Sequence, residues 1–380
     1  MPIERLDVFT FETPFNTVFR HASASRWRAQ NVIVAARGPD GATGWGEGCP
    51  RSYVSGETVE SASSFIHSQR DAMTRHVSDM ASLRGWIGGH RPLIDSNPAA
   101  FCAAETAIVD LIGKVEGRTA EQLLDAEEPS GEFQYSAVLG DSPWPVYRRQ
   151  CRRYQTEGFR DFKVKVSGRL RRDGRKMRIL GHPGAGGGAG VRVRIDANNL
   201  WTSADECASH LTALGRGIFA VEEPLRPDDL DGFRRVADAT GTRIVLDESL
   251  LRTGQLDSIA DDPHRWIANI RVSKMGGVIR ALEVAERAAE LGIAIIVGCQ
   301  VGETSILARA ALTVMQAARP SLVAAEGAFG THLLQRDLAS PSIIFGPAGV
   351  LVTDRSGWSG AGYGLEIDEG SARDLKALGP

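Results

Sequence analysis

From about residue 133 to residue 326 one unit recurs, a short apolar run followed by a segment with helical spacing. The runs are Gln134–Leu139, Phe162–Val166, Val191–Asp196, Ile218–Glu222, Arg243–Asp247, Trp266–Val272, Ala294–Val297 and Leu322–Glu326. They are rich in Val, Ile and Ala and have the length of strands. Segments such as Ala204–Leu214, Asp228–Ala239, Ile279–Leu291 and Ser305–Ala318 stand between them with helical periodicity. Eight strands alternating with helices over about 200 residues predict an α/β chain closed into a parallel (β/α) barrel. An open doubly wound sheet is the alternative that shares this rhythm.

The flanks follow another pattern. Residues 3–48 read as strands and turns, with Asn31–Ala36 leading into the turn at Pro39-Asp40-Gly41. Asn97-Pro98 then opens a helix whose Ala, Ile, Val and Leu spacing through Ile112 suits burial. Beyond Gly330 the rhythm fails, and Gly346, Gly349, Gly357, Gly360, Gly362 and Gly364 suggest loops and strands folding back over the first part. The expected division is therefore an α+β cap over 1–130, a barrel over 131–328 and a return over 329–380. A net charge of −3 speaks against nucleic acid or an anionic membrane as partner. The start lacks signal-peptide character, and five scattered cysteines form no CxxC pair, so a cytoplasmic protein is expected.

Within the second run, Lys163 and Lys165 share one strand face while Phe162, Val164 and Val166 share the other. An ordinary half-buried strand would turn the lysines to water. A barrel strand would aim both into its mouth, where two ammonium groups are costly without nearby anions. Three later runs supply those anions, ending on Asp196, Glu222 and Asp247, which are 26 and 25 residues apart. Acids at the C-terminal ends of successive barrel strands converge on one rim. Any one of them would serve equally well to cap the following helix. Three in register form a set of hard oxygen donors suited to Mg²⁺. Asn198, Glu223 and Glu248 follow these acids closely and are candidates to orient ligands or pair with lysines. Lys274, one strand later, belongs at the same rim.

These residues together resemble the enolase superfamily and, within it, the muconate lactonizing (cycloisomerase) subgroup. The shared motifs are Lys163-Val164-Lys165, Asp196-Ala197-Asn198, Glu222-Glu223-Pro224, Asp247-Glu248-Ser249 and Lys274-Met275-Gly276-Gly277. The resemblance implies a modified (β/α)₇β barrel capped by both chain ends. It also implies abstraction of the proton α to a substrate carboxylate with Mg²⁺ (or Mn²⁺) bound by Asp196, Glu222 and Asp247. Lys165 would be the base, Lys274 the acid or base on the opposite face, and Lys163 their electrostatic partner. The substrate would be a small carboxylic acid and the net reaction cycloisomerisation or racemisation, the first slightly favoured. Epimerisation of dipeptides, N-acyl amino acids or proline derivatives, acid dehydration, and a non-catalytic metal–carboxylate binder are the alternatives.

Glu326 resembles the glutamate of the cycloisomerases' eighth strand, and no Asp-x-Asp of the dipeptide-epimerase kind appears there. Glu303 is a second polar candidate, with a first-turn helix acid as its plainer role. Arg20, His21 and Tyr53, in segments that follow cap strands, are candidates for substrate contact. The family's habit implies a homo-oligomer, dimer or octamer. The glycine run 181–190 follows a helical stretch rather than a strand, the wrong order for a phosphate cradle. The basic run from Arg169 to Arg178 reads as a solvated helix face.

Overall fold

The computed structural model describes residues 3–21, 24–181, 190–355, 357–367 and 369–379. Three antiparallel strands open the chain, β1 (Arg5–His21), β2 (Ala24–Arg37) and β3 (Thr43–Gly48). Helices α1 (Val59–His76), α2 (Met80–Gly89), α3 (Arg91–Asp95), α4 (Pro98–Glu116) and α5 (Ala120–Leu124) follow. The close fit of β3 on α4 is written in alternate glycines. A Cβ on Gly44, Gly46 or Gly48 would lie 2.2, 2.1 or 2.0 Å from the carbonyls of Ala107, Ala103 and Ala99. Only glycine facing alanine lets the two backbones approach so closely.

After β4 (Glu132–Gln134) come the eight parallel strands. They are β5 (Ala137–Leu139), β6 (Asp161–Lys165), β7 (Arg192–Asp196), β8 (Ile218–Glu222), β9 (Arg243–Leu246), β10 (Trp266–Ile270), β11 (Ala294–Val297) and β12 (Leu322–Ala325). They pair in sequence order, and the sheet curls until Tyr135 and Ala325 form a parallel bridge. Connecting helices are α6 (Trp144–Thr156), α7 (Leu170–Leu180), α8 (Ala204–Leu214), α9 (Leu230–Thr240), the short α10 (Val272–Met275), α11 (Val278–Glu290) and α12 (Ser305–Ala317). The fifth connection is a 3₁₀ segment, Thr253–Ile259, which still buries Leu256 and Ile259. Ala220, Val245, Ile267, Ile296 and Ala324, one from each strand from β8 to β12, form a separate apolar cluster.

The return contributes β13 (Ala339–Ser340), β14 (Val350–Val352), β15 (Glu366–Ile367) and β16 (Leu375–Ala377). β16 joins the opening sheet beside β1, so both chain ends build one layer, in the order β16-β1-β2-β3. The expected first barrel strand divides. Glu132–Gln134 pairs antiparallel with β14, and only Ala137–Leu139 pairs with β6. The basic run also departs from expectation, because Lys176 is buried and donates to Lys165 O at 2.7 Å.

Buried carboxylates from the opening layer seat it on the barrel by accepting from helix N-termini, where amide N–H groups are free. Glu47 of β3 accepts from Thr304 N (3.0 Å) and Leu307 N (3.2 Å) at the start of α12. Glu105 of α4 accepts from Val278 N (3.1 Å) and Ile279 N (2.8 Å) of α11. Burial outweighs these hydrogen bonds and pushes both carboxyls up to about 7. Among the described residues no helix is long and apolar enough to cross a membrane.

Candidate active site

Strand alternation brings Asp161, Lys163 and Lys165 to one face of β6, while Phe162 and Val164 pack into the apolar core. Lys163 Nζ lies 2.8 Å from Glu222, 3.1 Å from Glu326 and 3.3 Å from Asp196. Lys165 Nζ donates to Asp196 Oδ2 and Asn198 Oδ1, both at 2.8 Å. Asn198 takes a left-handed backbone (φ 48°), which lets its N–H reach Asp196 Oδ1 at 3.1 Å. Lys274, on α10, donates to Asp247 Oδ1 at 2.9 Å and to the carbonyls of Asp247 (2.6 Å) and Asn269 (2.9 Å). The Arg271 guanidinium pairs with Asp247 and stands 3.5 Å from Glu222. Glu223 (φ 41°) accepts from Asp247 N at 2.7 Å, Ser249 N at 2.8 Å and Ser249 Oγ at 2.9 Å. It thereby fixes the strand end that carries Asp247.

The electrostatics sort these groups. Burial alone would lower the pKa of Lys163, but Glu222, Glu326 and Asp196 outweigh it and hold the ammonium well above its ordinary value. Lys274 is shifted the other way, because burial, helped by Arg271, prevails over Asp247. Burial raises Asp196, yet Lys165 and Lys163 hold it well below the usual carboxylate range. Arg271 and Lys274 overcome burial at Asp247 and bring it to about 2. Glu222 is pushed up to about 8 by burial and by the neighbouring acids, against the pull of Lys163. The rim therefore holds more carboxylate than its side-chain cations neutralise comfortably.

The three strand-end acids gather as expected, but cations lie between them. Lys163 sits between Asp196 and Glu222, and Arg271 between Glu222 and Asp247. Consequently no group of three or more His, Cys, Asp or Glu among the described residues is spaced to hold a metal ion. The donor chemistry still fits a hard divalent cation. Three carboxylates meet at one rim, and the buried Glu222 Oε2, although in ion contact with Lys163, accepts no hydrogen bond.

A cavity of about 590 Å³ opens on this rim, lined by Lys163, Lys165, Asp196, Asn198, Glu248 and Glu326, with Tyr53 and Arg271 also on its wall. Lys274, Glu222 and Asp247 do not line it. Glu303 does not line it either, and its carboxylate instead accepts from Gln300 N at 2.5 Å, holding the turn after β11. Arg20 and His21 end β1 as strand rather than loop, and their side chains lie outside the described residues. Residues 182–189 of the glycine run also lie outside them. Arg51, between the cap strands and Tyr53, is a buried strut, donating to Gln30 O, Pro50 O, Asn31 Oδ1 and Val301 O.

Two site residues escaped the sequence reading. Arg194 is buried and donates to Glu326 Oε1 at 2.9 Å, and Arg271 bridges two acids. For Arg194 the signal was present, since it precedes Asp196 by two positions on one strand and so shares its face.

Residues 146–371 match the family model described as enolase C-terminal domain-like, more than half of the chain. The chain belongs to that family. Among curated relatives, L-Ala-D/L-Glu epimerase of Bacillus subtilis (strain 168) is 27% identical over 318 residues, 79% of this chain and 81% of that one. Dipeptide epimerase from Methylococcus capsulatus, solved with Mg and the dipeptide L-Arg-D-Lys, superposes with TM-score 0.80 at 27% identity, covering 96% of this chain and 99% of that one. Muconate lactonizing enzyme from Mucobacterium Smegmatis, solved with muconolactone, gives TM-score 0.84 at 22% identity and covers both chains fully. The homologues are thus epimerases and racemases, isomerases of the enolase superfamily.

Proposed function

We propose that this chain is a racemase or epimerase of a small carboxylic acid whose α-amine is acylated, dependent on Mg²⁺ (Mn²⁺ substituting). The observation that carries the reading is the pair of lysines on β6. One is held charged among three carboxylates, and the other lines the cavity in contact with Asp196 and Asn198. Lys165 would take the α-proton, so that the C–H bond breaks, an N–H bond forms and the electron pair spreads into the substrate carboxylate. Lys274 would return a proton to the opposite face, which inverts the centre. Burial, helped by Arg271, lowers its pKa and so eases the release of its proton. Asp196, Glu222 and Asp247 would hold the metal ion, which supplies positive charge for the second negative charge developing on that carboxylate. Lys163 contributes fixed positive charge beside Lys165, and Glu326 with Arg194 keeps Lys163 in place. Both Glu326 oxygens are engaged, by Arg194 and Lys163. It is therefore poorly placed to hold a free substrate ammonium, which favours an acylated amine.

Cycloisomerisation is the second reading, favoured by this glutamate standing where no Asp-x-Asp occurs. We further assign residues 1–130 and 329–380 to the cap and 131–328 to the catalytic barrel. A cytoplasmic homo-oligomer, dimer or octamer, completes the proposal. Incubating N-acyl amino acids, dipeptides and muconates in D₂O with Mg²⁺ tests it by NMR. A substrate should gain α-deuterium with inversion, or a lactone should form under the second reading. Lys165→Ala should slow this roughly 10²- to 10⁴-fold. Exchange at the wild-type rate in that variant would remove Lys165 as the base.

A further inference from the structure

The cavity extends beyond the lysines, and its outer wall is one face of α6. Arg149 and Arg153 stand four residues apart on that helix, as do Gln150 and Tyr154, so all four share a face, and all four line the cavity. The segment after β12 contributes Phe329, His332 and Leu333 to the same cavity. This segment turns through a 3₁₀ helix, Gly330–His332, and lines the same cavity as the α6 face. The carboxylates that line the cavity, Asp196, Glu248 and Glu326, all belong to barrel strands or their ends. The α6 wall has none. Arg153 uses Nε for Glu157 at 2.9 Å, and among the described residues the Arg149 guanidinium has no partner. Arg148 and Arg152 lie on the same helix, and Arg175 of α7 stacks on Trp144 at its start, 3.7 Å from the ring centroid. In a chain of net charge −3 this is a local positive field at the cavity's outer end.

We infer that Arg149 and Arg153 form the subsite for a second anionic group on the substrate, at the end remote from the reacting carboxylate. The inference rests on the proposed function and narrows its substrate class. Two exposed guanidiniums on one helix face offer a carboxylate several N–H donors in fork geometry, with Tyr154 and Leu333 beside the intervening chain. The anion is a carboxylate carried either by the acyl cap of an N-acyl amino acid or by an acidic residue of a peptide. A distal ammonium or guanidinium would meet like charge at this wall.

The test compares matched pairs differing only at the remote group. N-acyl amino acids with a terminal carboxylate are set against their carboxamides, and peptides carrying Glu against those carrying Gln. The wild type should favour the carboxylate member at least tenfold in kcat/KM through KM, in whichever series supplies the substrate. In Arg149→Ala/Arg153→Ala, two exposed positions, the ratio should fall to near one, and raising the salt concentration should shrink it in the wild type. Turnover of both members with no such preference, or a preference that survives the double substitution, overturns the subsite while leaving the proposed function standing. If no acid in either series exchanges its α-proton, calorimetry with the dicarboxylic N-acyl amino acid decides. Binding lost in the double variant upholds the subsite although the reaction reading has failed, and no binding to the wild type overturns it.

Discussion

Replacing Arg309 by Met tests how the cap is held over the barrel. Arg309 lies on α12 and forms a two-pronged ion pair with Glu121 of α5, at 2.8 and 3.0 Å, and both side chains are buried. Thr313 Oγ1 donates to the same carboxylate at 2.6 Å, and the guanidinium packs 5.0 Å from the Trp358 ring centroid of the return. One residue thus joins barrel, cap and return. Met preserves much of the packing but leaves Glu121 buried with only the threonine hydroxyl among these partners. Removing one partner of a buried pair costs about 3–5 kcal/mol, and the retained bond and packing place this case near 3 kcal/mol. An unfolding entropy of about 2.1 cal/mol/K per residue converts that into a Tm lower by about 4 °C for a chain of this length.

The pH dependence carries the sign. Burial raises the pKa of Glu121, but hydrogen bonding and charge from Arg309, with Thr313, outweigh it and hold the carboxyl below 4.5. A depressed folded pKa contributes stability that is present above the unfolded value of 4.5 and is lost as pH falls through the folded value. The gap between wild type and Arg309→Met should therefore be widest near pH 7 and narrow below pH 4.5. Glu121→Gln, which strands the guanidinium instead, should lose a similar amount, and the double variant should recover most of it. Urea and thermal denaturation read all four proteins. A loss under about 1 kcal/mol at pH 7, a gap indifferent to pH, or a double variant as weak as the two single losses combined would refute the reasoning.

Gly46→Ala should destabilise the cap by about 3 kcal/mol or more, because its Cβ meets backbone at 2.1 and 2.4 Å, where nothing yields without parting β3 from α4. Thermal denaturation checks this, and a Tm within a degree of wild type would show that the two elements tolerate separation. Asp247→Asn should weaken Mg²⁺ binding at least tenfold by calorimetry, since the site loses a charged oxygen donor, and unchanged affinity would exclude Asp247 as a ligand.

Much of the fold was legible because its signals are local. The alternation of Lys163 and Lys165 with Phe162, Val164 and Val166 follows from strand geometry, and the strand-end positions of Asp196, Glu222 and Asp247 follow from the repeat length of a βα unit. Both predictions hold in the structure. Gln134, the start of the Gln134–Leu139 run, was misread because a strand's sequence does not name its partner, and here β14, more than two hundred residues away, takes it from the barrel. Lys176 was misread because the helical periodicity of a basic run does not reveal which of its members turns inward to the Lys165 carbonyl.

For the site, strand alternation put Lys163 and Lys165 on one face and the βα repeat put Asp196 and Glu222 at strand ends, since both are consequences of backbone geometry over a few residues. What stands between those groups was decided by the tertiary structure. Lys163 and Arg271 separate the three acids, Lys274 turns to the Asp247 carbonyl, and the outer face of α6 lines the same cavity as the segment after β12. The physical reason is that a side chain's direction is set by its own backbone. The charge, burial and company it meets there are set by strands and loops that only the closed barrel brings together.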